Sequence, residues 1–144
     1  MECPLCYDNK KFLIKRYNYW TIALHSSQFY LGRCIIKLNR HITDLFETEK
    51  EEQEELFEIV PRLKNALNEI FKPDLFNYAA LGNIIPHLHF HVIPRYEQKR
   101  TFEGIEFIDG RWGENYVPYN RDFNIPDAVF SKIRETIKER ISNH

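Results

Sequence analysis

Apolar and polar residues follow two different periods along the chain, one typical of strands and one of helices. Residues 17–24 and 33–38 are rich in aromatic and β-branched side chains and are predicted to be strands, with Gly32 at the turn before the second. Residues 75–80 and 87–94 have the same character, so we predict a third and a fourth strand there.

Two other stretches repeat apolar residues at spacings of three and four, which is typical of one helical face. Thr48 and Glu51 form a capping-box pattern that predicts the start of a long helix, and Pro73 ends it. Pro61 is expected to kink or divide this helix. Its apolar stripe is Leu56, Val60, Leu63, Leu67 and Ile70. A C-terminal helix is predicted from Pro126, and its stripe is Val129, Ile133, Ile137 and Ile141.

The predicted strands lie on both sides of one long helix and are joined by short connections. This order predicts an α+β fold with a mainly antiparallel sheet, one long helix and a C-terminal helix. The 144 residues are 43% hydrophobic and 15% aromatic, which indicates one packed domain over residues 1–144.

Charge and segment lengths narrow the choice of partners. The net charge of −1 gives no general attraction to a nucleic acid polymer or to an anionic membrane. No stretch has the length of a transmembrane helix, and the N-terminal segment MECPLCYDNK does not resemble a signal peptide. We therefore expect a cytoplasmic protein.

The segment HLHFHVIPR, residues 87–95, places His87, His89 and His91 at alternate positions. On a strand, alternate side chains share one face. Three interpretations are open at this point. The histidines can be structural, they can bind one metal ion together as in catalytic zinc sites, or one neutral imidazole can attack phosphorus while its neighbours orient it or donate protons.

Two cysteines at the start of the chain form the pair Cys3-x-x-Cys6. In a reducing compartment such a pair is typical of a metal or redox site rather than of a structural disulfide. The alternative is two ordinary thiols near a chain end.

The sequence HLHFHVI resembles the His-φ-His-φ-His-φ-φ signature of the histidine triad (HIT) superfamily. Residues 77–95 resemble the longer family segment around the triad, and residues 30–41 are similar to the family's strand that ends in a basic residue and a histidine. Residues 107–119 resemble bacterial dinucleoside polyphosphate hydrolase-like members. The resemblance implies the HIT fold, a nucleotide substrate and a homodimer.

The resemblance also implies roles for individual residues. His89 is the expected nucleophile, which attacks the α-phosphate. His91 is expected to contact the phosphate or the bridging oxygen, where a protonated ring could neutralise charge and protonate the leaving oxygen. Asn83 stands where the family has a phosphate-contacting Gln, and His25 where it has a ribose-binding Asp or Asn.

One position departs from the family pattern more strongly. Arg33 stands where many members carry a fourth histidine behind the nucleophile, and a guanidinium cannot accept a proton. The supporting role of that histidine is therefore lost or has moved.

A zinc-containing branch, similar to the galactose-1-phosphate uridylyltransferases, pairs an N-terminal CxxC with two histidines. The resemblance therefore implies a structural zinc (Zn) site made by Cys3, Cys6, His41 and His87. The resemblance also gives the three histidines separate roles: His87 binds zinc, and His89 and His91 act on the substrate.

Two further residues follow the triad. Trp112 lies in a stretch, residues 105–120, that is predicted to be an aromatic loop, where it either stacks on a base or closes the site, or else anchors the loop to the body. Arg95 is expected to face a phosphate or a partner subunit.

The function expected from these residues is that of a nucleotide phosphoanhydride hydrolase or nucleotidyl transferase with a covalent nucleotidyl-histidine intermediate. Its expected substrates are dinucleoside polyphosphates such as diadenosine tetraphosphate, or nucleoside phosphoramidates. The alternative, suggested by Arg33 and Asn83, is a non-catalytic module that binds a nucleotide or a protein.

Overall fold

The computed structural model describes residues 3–142. Five strands form the main sheet: β1 (Leu13–Arg16), β2 (Trp20–Leu24), β3 (Cys34–Leu38), β4 (Leu75–Ala79) and β5 (His89–Arg95). Their order is β1-β2-β3-β5-β4, and each neighbouring pair is antiparallel. The other elements are the hairpin β6 (Arg100–Phe102) and β7 (Ile105–Phe107), helices α1 (Lys50–Phe71) and α2 (Asp127–Ser142), and 3-10 turns at Pro4–Cys6 and Leu45–Glu47. The predicted α+β fold is confirmed.

Helix α1 buries one face against the core. The buried apolar residues are Leu56, Ile59, Leu63, Ala66, Leu67 and Phe71. Ile59 and Phe71 take the places predicted for Val60 and Ile70, which are only half-buried. Around Ile59 a spacing of four and the following spacing of three are exchanged, and at Phe71 a spacing of four replaces the predicted three, both of which are compatible with the 3.6-residue period of the helix.

The start of α1 differs from the predicted capping box by one residue. Glu49 is the N-cap, and its amide donates to Glu52 Oε1 at 2.8 Å, while the Glu49 side chain accepts from the backbone of Glu52. Thr48 instead closes the preceding 3-10 turn, with its hydroxyl donating to Leu45 O at 2.6 Å. Pro61 does not divide the helix, because its ring lies on the exposed face while the opposite face stays packed.

Three short strands were missed. β1 contains one fully buried residue, Ile14, which gives too little alternation to predict a strand. β7 lies inside the predicted loop and pairs with β6 through a tight turn at Glu103 and Gly104, both of which have positive φ angles. In the triad segment, β5 begins at His89, so His87 lies just before the strand rather than on its face.

Gly32 forms the turn that leads into β3. Its φ is +85°, and the Arg33 amide donates to Tyr30 O at 3.0 Å across the turn. A Cβ at this position would lie 3.0 Å from Leu67 Cδ2, so the turn is also packed tightly onto α1. The predicted turn is confirmed, and it fixes the position of Arg33.

Helix α2 packs on α1 and β1 with the predicted stripe buried, together with Phe130. It begins at Asp127, one residue after the predicted Pro126. Among the described residues, no helix combines the length and apolar character needed to cross a membrane.

Candidate functional site

Four predicted metal ligands converge where β3 ends and β5 begins, in the middle of the sheet. Cys3 precedes the first 3-10 turn and Cys6 ends it, His41 follows β3, and His87 precedes β5. Their ligand atoms all lie within 4.8 Å of one another. Cys3 Sγ is 3.3 Å from His87 Nδ1, Cys6 Sγ is 3.4 Å from His41 Nδ1, and the two Nδ1 atoms are 3.1 Å apart.

Hydrogen bonding orients the His87 ring so that one nitrogen could bind a metal. The ring is fully buried, and its Nε2 lies 2.6 Å from Leu38 O, to which it donates. Nδ1 is then left with a lone pair that faces the two sulfurs. Burial lowers the pKa of His87, which favours the neutral, metal-binding form.

The donor set fits a closed tetrahedral zinc site. Ligand atoms around such an ion are roughly 3.3–3.8 Å apart, and two thiolates with two imidazoles form a common structural set. Of the three triad histidines, only His87 belongs to this group. The interpretation in which all three bind one ion is therefore wrong for the part of the chain that the structure describes.

His89 is oriented by the backbone of the residue two positions before it. Its Nδ1 lies 2.6 Å from His87 O, and a carbonyl can only accept, so Nδ1 carries the proton. Nε2 is then the nitrogen with the free lone pair. The rings of His89 and His91 are adjacent, with centroids 5.0 Å apart.

His91 is held by Arg33, which sequence reasoning had not connected to it. Arg33 Nη2 lies 3.1 Å from His91 Nδ1, and because a guanidinium only donates, Nδ1 accepts and Nε2 carries the proton. Burial, and then the charge of Arg33, lower the pKa of His91 to about 3. His91 is therefore a neutral hydrogen-bond donor at neutral pH, not the protonated ring considered from the sequence.

His25 stands beside His91, with ring centroids 5.6 Å apart. Its Nδ1 lies 3.0 Å from the Ser27 amide nitrogen and 3.1 Å from the Ser27 carbonyl oxygen, so the turn after β2 holds the ring. Burial, followed by the Arg33 charge, lowers the pKa of His25 to about 4. This position therefore also offers a neutral imidazole.

Two cavities meet at His25, His89 and His91. The larger cavity, of about 440 Å³, has apolar walls that include Phe12, Leu24 and Ile35. The smaller one, called the Arg33 cavity below, measures about 330 Å³. Its other lining residues include Arg33, Asn83, Tyr116, Tyr119 and Arg121.

The structure places the remaining predicted site residues differently. Asn83 is exposed and lines the Arg33 cavity, as a phosphate contact would require. Trp112 is half-buried and lines neither cavity. Tyr116 and Tyr119, from the same loop, line the Arg33 cavity instead. In the sequence, only their aromatic character indicated such a role.

Arg95 is a structural residue. It is 3% exposed, its guanidinium forms a two-point ion pair with Asp109 at 2.7 and 3.1 Å, and it donates to Arg111 O and Glu114 O. It therefore faces neither a phosphate nor a surface that a partner subunit could reach. Its contacts fix the loop that carries the two tyrosines over the Arg33 cavity.

Comparisons with known proteins agree with this fold. The sequence profile described as the HIT domain matches residues 7–98. A histidine triad (HIT) protein from Sinorhizobium meliloti 1021 has a TM-score of 0.74 at 22% identity, covering 90% of this chain and 88% of that chain. A hypothetical histidine triad nucleotide-binding protein from Sulfolobus tokodaii has a TM-score of 0.70 at 17% identity, with 92% and 84% covered. A Zn-bound histidine triad family protein from Mycobacterium smegmatis has a TM-score of 0.60 at 18% identity, with 92% and 87% covered. The search of curated proteins gave no match.

Protein purified without added zinc is expected to contain close to one zinc per chain. Cys3→Ser combined with Cys6→Ser should remove the metal and lower the melting temperature, because two of four ligands are lost. Cys34→Ala is the matched control, since Cys34 is buried outside the group and its loss should leave the zinc content unchanged. Elemental analysis and thermal melts measure both effects, and metal-free protein of undiminished stability would contradict the site.

The Arg33→Gln variant is expected to raise the His91 pKa only in part, because the neighbouring positive charge is removed while burial, the larger cause of the lowered pKa, remains. Since the folded pKa is lowered, the wild-type protein should lose stability as the pH falls from about 6.5 towards 3, where the unfolded chain binds the proton more readily. The Arg33→Gln variant should lose less stability than the wild-type protein over the same pH range. Ring-proton NMR titration follows His91 directly, and an unchanged pKa would show that Arg33 does not control it.

Proposed function

The chain belongs to the family of HIT domain proteins, and from that premise we propose that it hydrolyses or transfers nucleotides through a covalent bond to His89. Membership supports a nucleotide hydrolase or transferase in general. The observation that carries the proposal is the hydrogen bond from His89 Nδ1 to His87 O at 2.6 Å. It leaves Nε2 unprotonated at the junction of the two cavities, as a nucleophile requires.

The nucleoside is proposed to bind in the larger cavity. Its volume of about 440 Å³ suits a base and ribose, and its walls are mainly apolar. His25 lies where this cavity meets the triad, so it is the proposed partner of a ribose hydroxyl. A nucleoside in this position brings its α-phosphate next to His89 and His91.

The proposed reaction has two steps at the α-phosphorus. His89 Nε2 attacks it and the leaving group departs, and water then cleaves the N–P bond to release the nucleoside monophosphate. His91 Nε2–H and the Asn83 amide, both at the Arg33 cavity, are the proposed phosphate donors. Trp112 is left out of this binding site. Dinucleoside polyphosphates, such as diadenosine tetraphosphate, and nucleoside phosphoramidates are the proposed substrate classes.

A structural zinc is proposed for the four-residue group, where it would hold the N-terminal segment against the triad strand. Two thiolates kept as ligands suit a reducing compartment, which supports a cytoplasmic location. The main sheet and both helices share one hydrophobic core, which supports one domain over residues 1–144.

Hydrolysis of diadenosine tetraphosphate in heavy-oxygen water tests the mechanism. Attack at the α-phosphorus should give AMP and ATP, with the label in AMP, because water cleaves the bond to His89. The His89→Ala variant should lose turnover, while its melting temperature stays close to that of the wild-type protein and nucleotide binding remains measurable. Label in the polyphosphate product, or more than about a tenth of wild-type turnover in the variant, would contradict the assignment. Nucleotide binding without turnover by the wild-type protein would instead favour the binding-module alternative.

A homodimer is proposed through β4, which is an edge of the main sheet and carries the exposed side chains of Leu75 and Tyr78. Sedimentation of the wild-type protein should give a dimer. The combined change Leu75→Glu with Tyr78→Glu should give a monomer, because it places two charges on this edge. Phe46→Glu, at an exposed apolar residue in the 3-10 turn Leu45–Glu47 outside the main sheet, should leave the dimer intact. A monomeric wild-type protein would refute the proposal.

A further inference from the structure

Arg33 carries a buried positive charge without an acidic partner in the described part of the chain. The residue is 4% exposed, and no carboxylate forms an ion pair with it between residues 3 and 142. Nη2 donates to His91, whereas Nε and Nη1 have no hydrogen-bond partner there. A buried charge normally requires compensation, so this guanidinium lacks an anion.

The surroundings of Arg33 compensate its charge only in part. Its Cζ lies 5.4 Å from the ring centre of Tyr116 and 5.2 Å from that of Tyr119, so the two tyrosines form cation–π contacts with it. Arg121 adds a second positive charge, with its Cζ 5.2 Å from the Tyr119 ring. No aspartate or glutamate is among the described residues that line this cavity.

We propose that the Arg33 cavity binds an anionic leaving group, namely a phosphate joined through oxygen to the α-phosphorus. This inference rests on the proposed function, and it names the substrate class as nucleotide phosphoanhydrides in preference to phosphoramidates. The larger cavity and the Arg33 cavity share His89 and His91, so a nucleoside in one places its leaving group in the other.

The chemistry of the bond that breaks supports this choice. When His89 Nε2 forms the N–P bond, the P–O bond breaks and its electron pair stays on the bridging oxygen. A phosphate leaving group carries that charge as an anion at neutral pH and needs a cation beside it, not a proton. An amine leaving group must be protonated, and the neutral His91 is a poor acid for that step.

Two substrates with the same adenosine and α-phosphate compare an anionic with a neutral leaving group. Diadenosine tetraphosphate has an anionic leaving group, and adenosine 5′-N-propylphosphoramidate has a neutral amine. Because a more basic His91 would also favour the amine substrate, the ratio of their kcat/KM values in Arg33→Gln is compared with the ratio in Arg121→Gln, which leaves His91 unchanged. Arg33→Gln should lower that ratio by about tenfold or more, the effect of losing one hydrogen bond to a charged group.

Other variants sharpen this comparison. Arg121→Gln should lower the ratio in the same direction, since it removes the second charge without touching His91. Lys132→Gln, which removes an exposed charge on α2 outside both cavities, should leave the ratio unchanged. Arg33→Lys keeps the charge and should retain part of the preference, and it replaces Arg33→Gln if that variant does not fold.

Binding of inorganic tripolyphosphate gives a readout without turnover. Calorimetry should detect binding to the wild-type protein and a loss of about tenfold in Arg33→Gln. If the wild-type protein turns over neither diadenosine tetraphosphate nor the phosphoramidate, the proposed function fails. Tripolyphosphate binding then still tests whether the Arg33 cavity binds an anion. An equal loss for both substrates, together with unchanged tripolyphosphate affinity in Arg33→Gln, would overturn the inference.

Discussion

The site depends on the hydrogen bond from His89 Nδ1 to the carbonyl of His87, because this contact connects the two halves of the triad. His87 turns its side chain towards Cys3, Cys6 and His41 and its carbonyl towards His89. It can do both because it lies before β5, where its carbonyl is not taken up by the sheet. The cysteines therefore contact the side chain of the same residue whose carbonyl orients the proposed nucleophile.

The same four-residue group also positions one wall of the larger cavity. The chain runs from Cys6 directly into Tyr7 and Asp8, which line that cavity. Lys37, on the strand beside the triad, fixes them by donating to Tyr7 O at 2.7 Å and pairing with Asp8 Oδ1 at 2.9 Å. Binding energy of a metal at a site formed only in the folded state is also folding energy. In this protein it would act on the wall of the proposed nucleoside site.

The residues that could be predicted from sequence are those whose pattern is local or belongs to the family signature. The stripe of α2 follows from spacing alone, and the metal ligands followed from the resemblance. The start of β5 at His89 could not be predicted, because alternation of histidines is the same in a strand and in the turn before it. β1 and the β6–β7 hairpin are too short for their periodicity to be distinguished from loop. The pairing of Arg33 with His91 depends on the alignment of β3 against β5, which connects residues 58 positions apart.

The contact between Arg33 and His91 gives a role to the arginine at a position where many family members carry a histidine. From the sequence, an arginine at this position removes a proton acceptor. In the structure, its fixed donor selects one tautomer of His91, and burial, together with the Arg33 charge, keeps the pKa values of both His91 and His25 low. The Arg33 cavity therefore combines permanent guanidinium charge with neutral imidazoles, a set that can stabilise an anion without gaining or losing protons near neutral pH.

The tyrosines above Arg33 reduce its contact with water, which strengthens its field on any charge that develops at the α-phosphorus. An anion bound at this cavity, as proposed, would compensate this charge and would thereby couple substrate binding to the stability of the loop that Arg95 anchors.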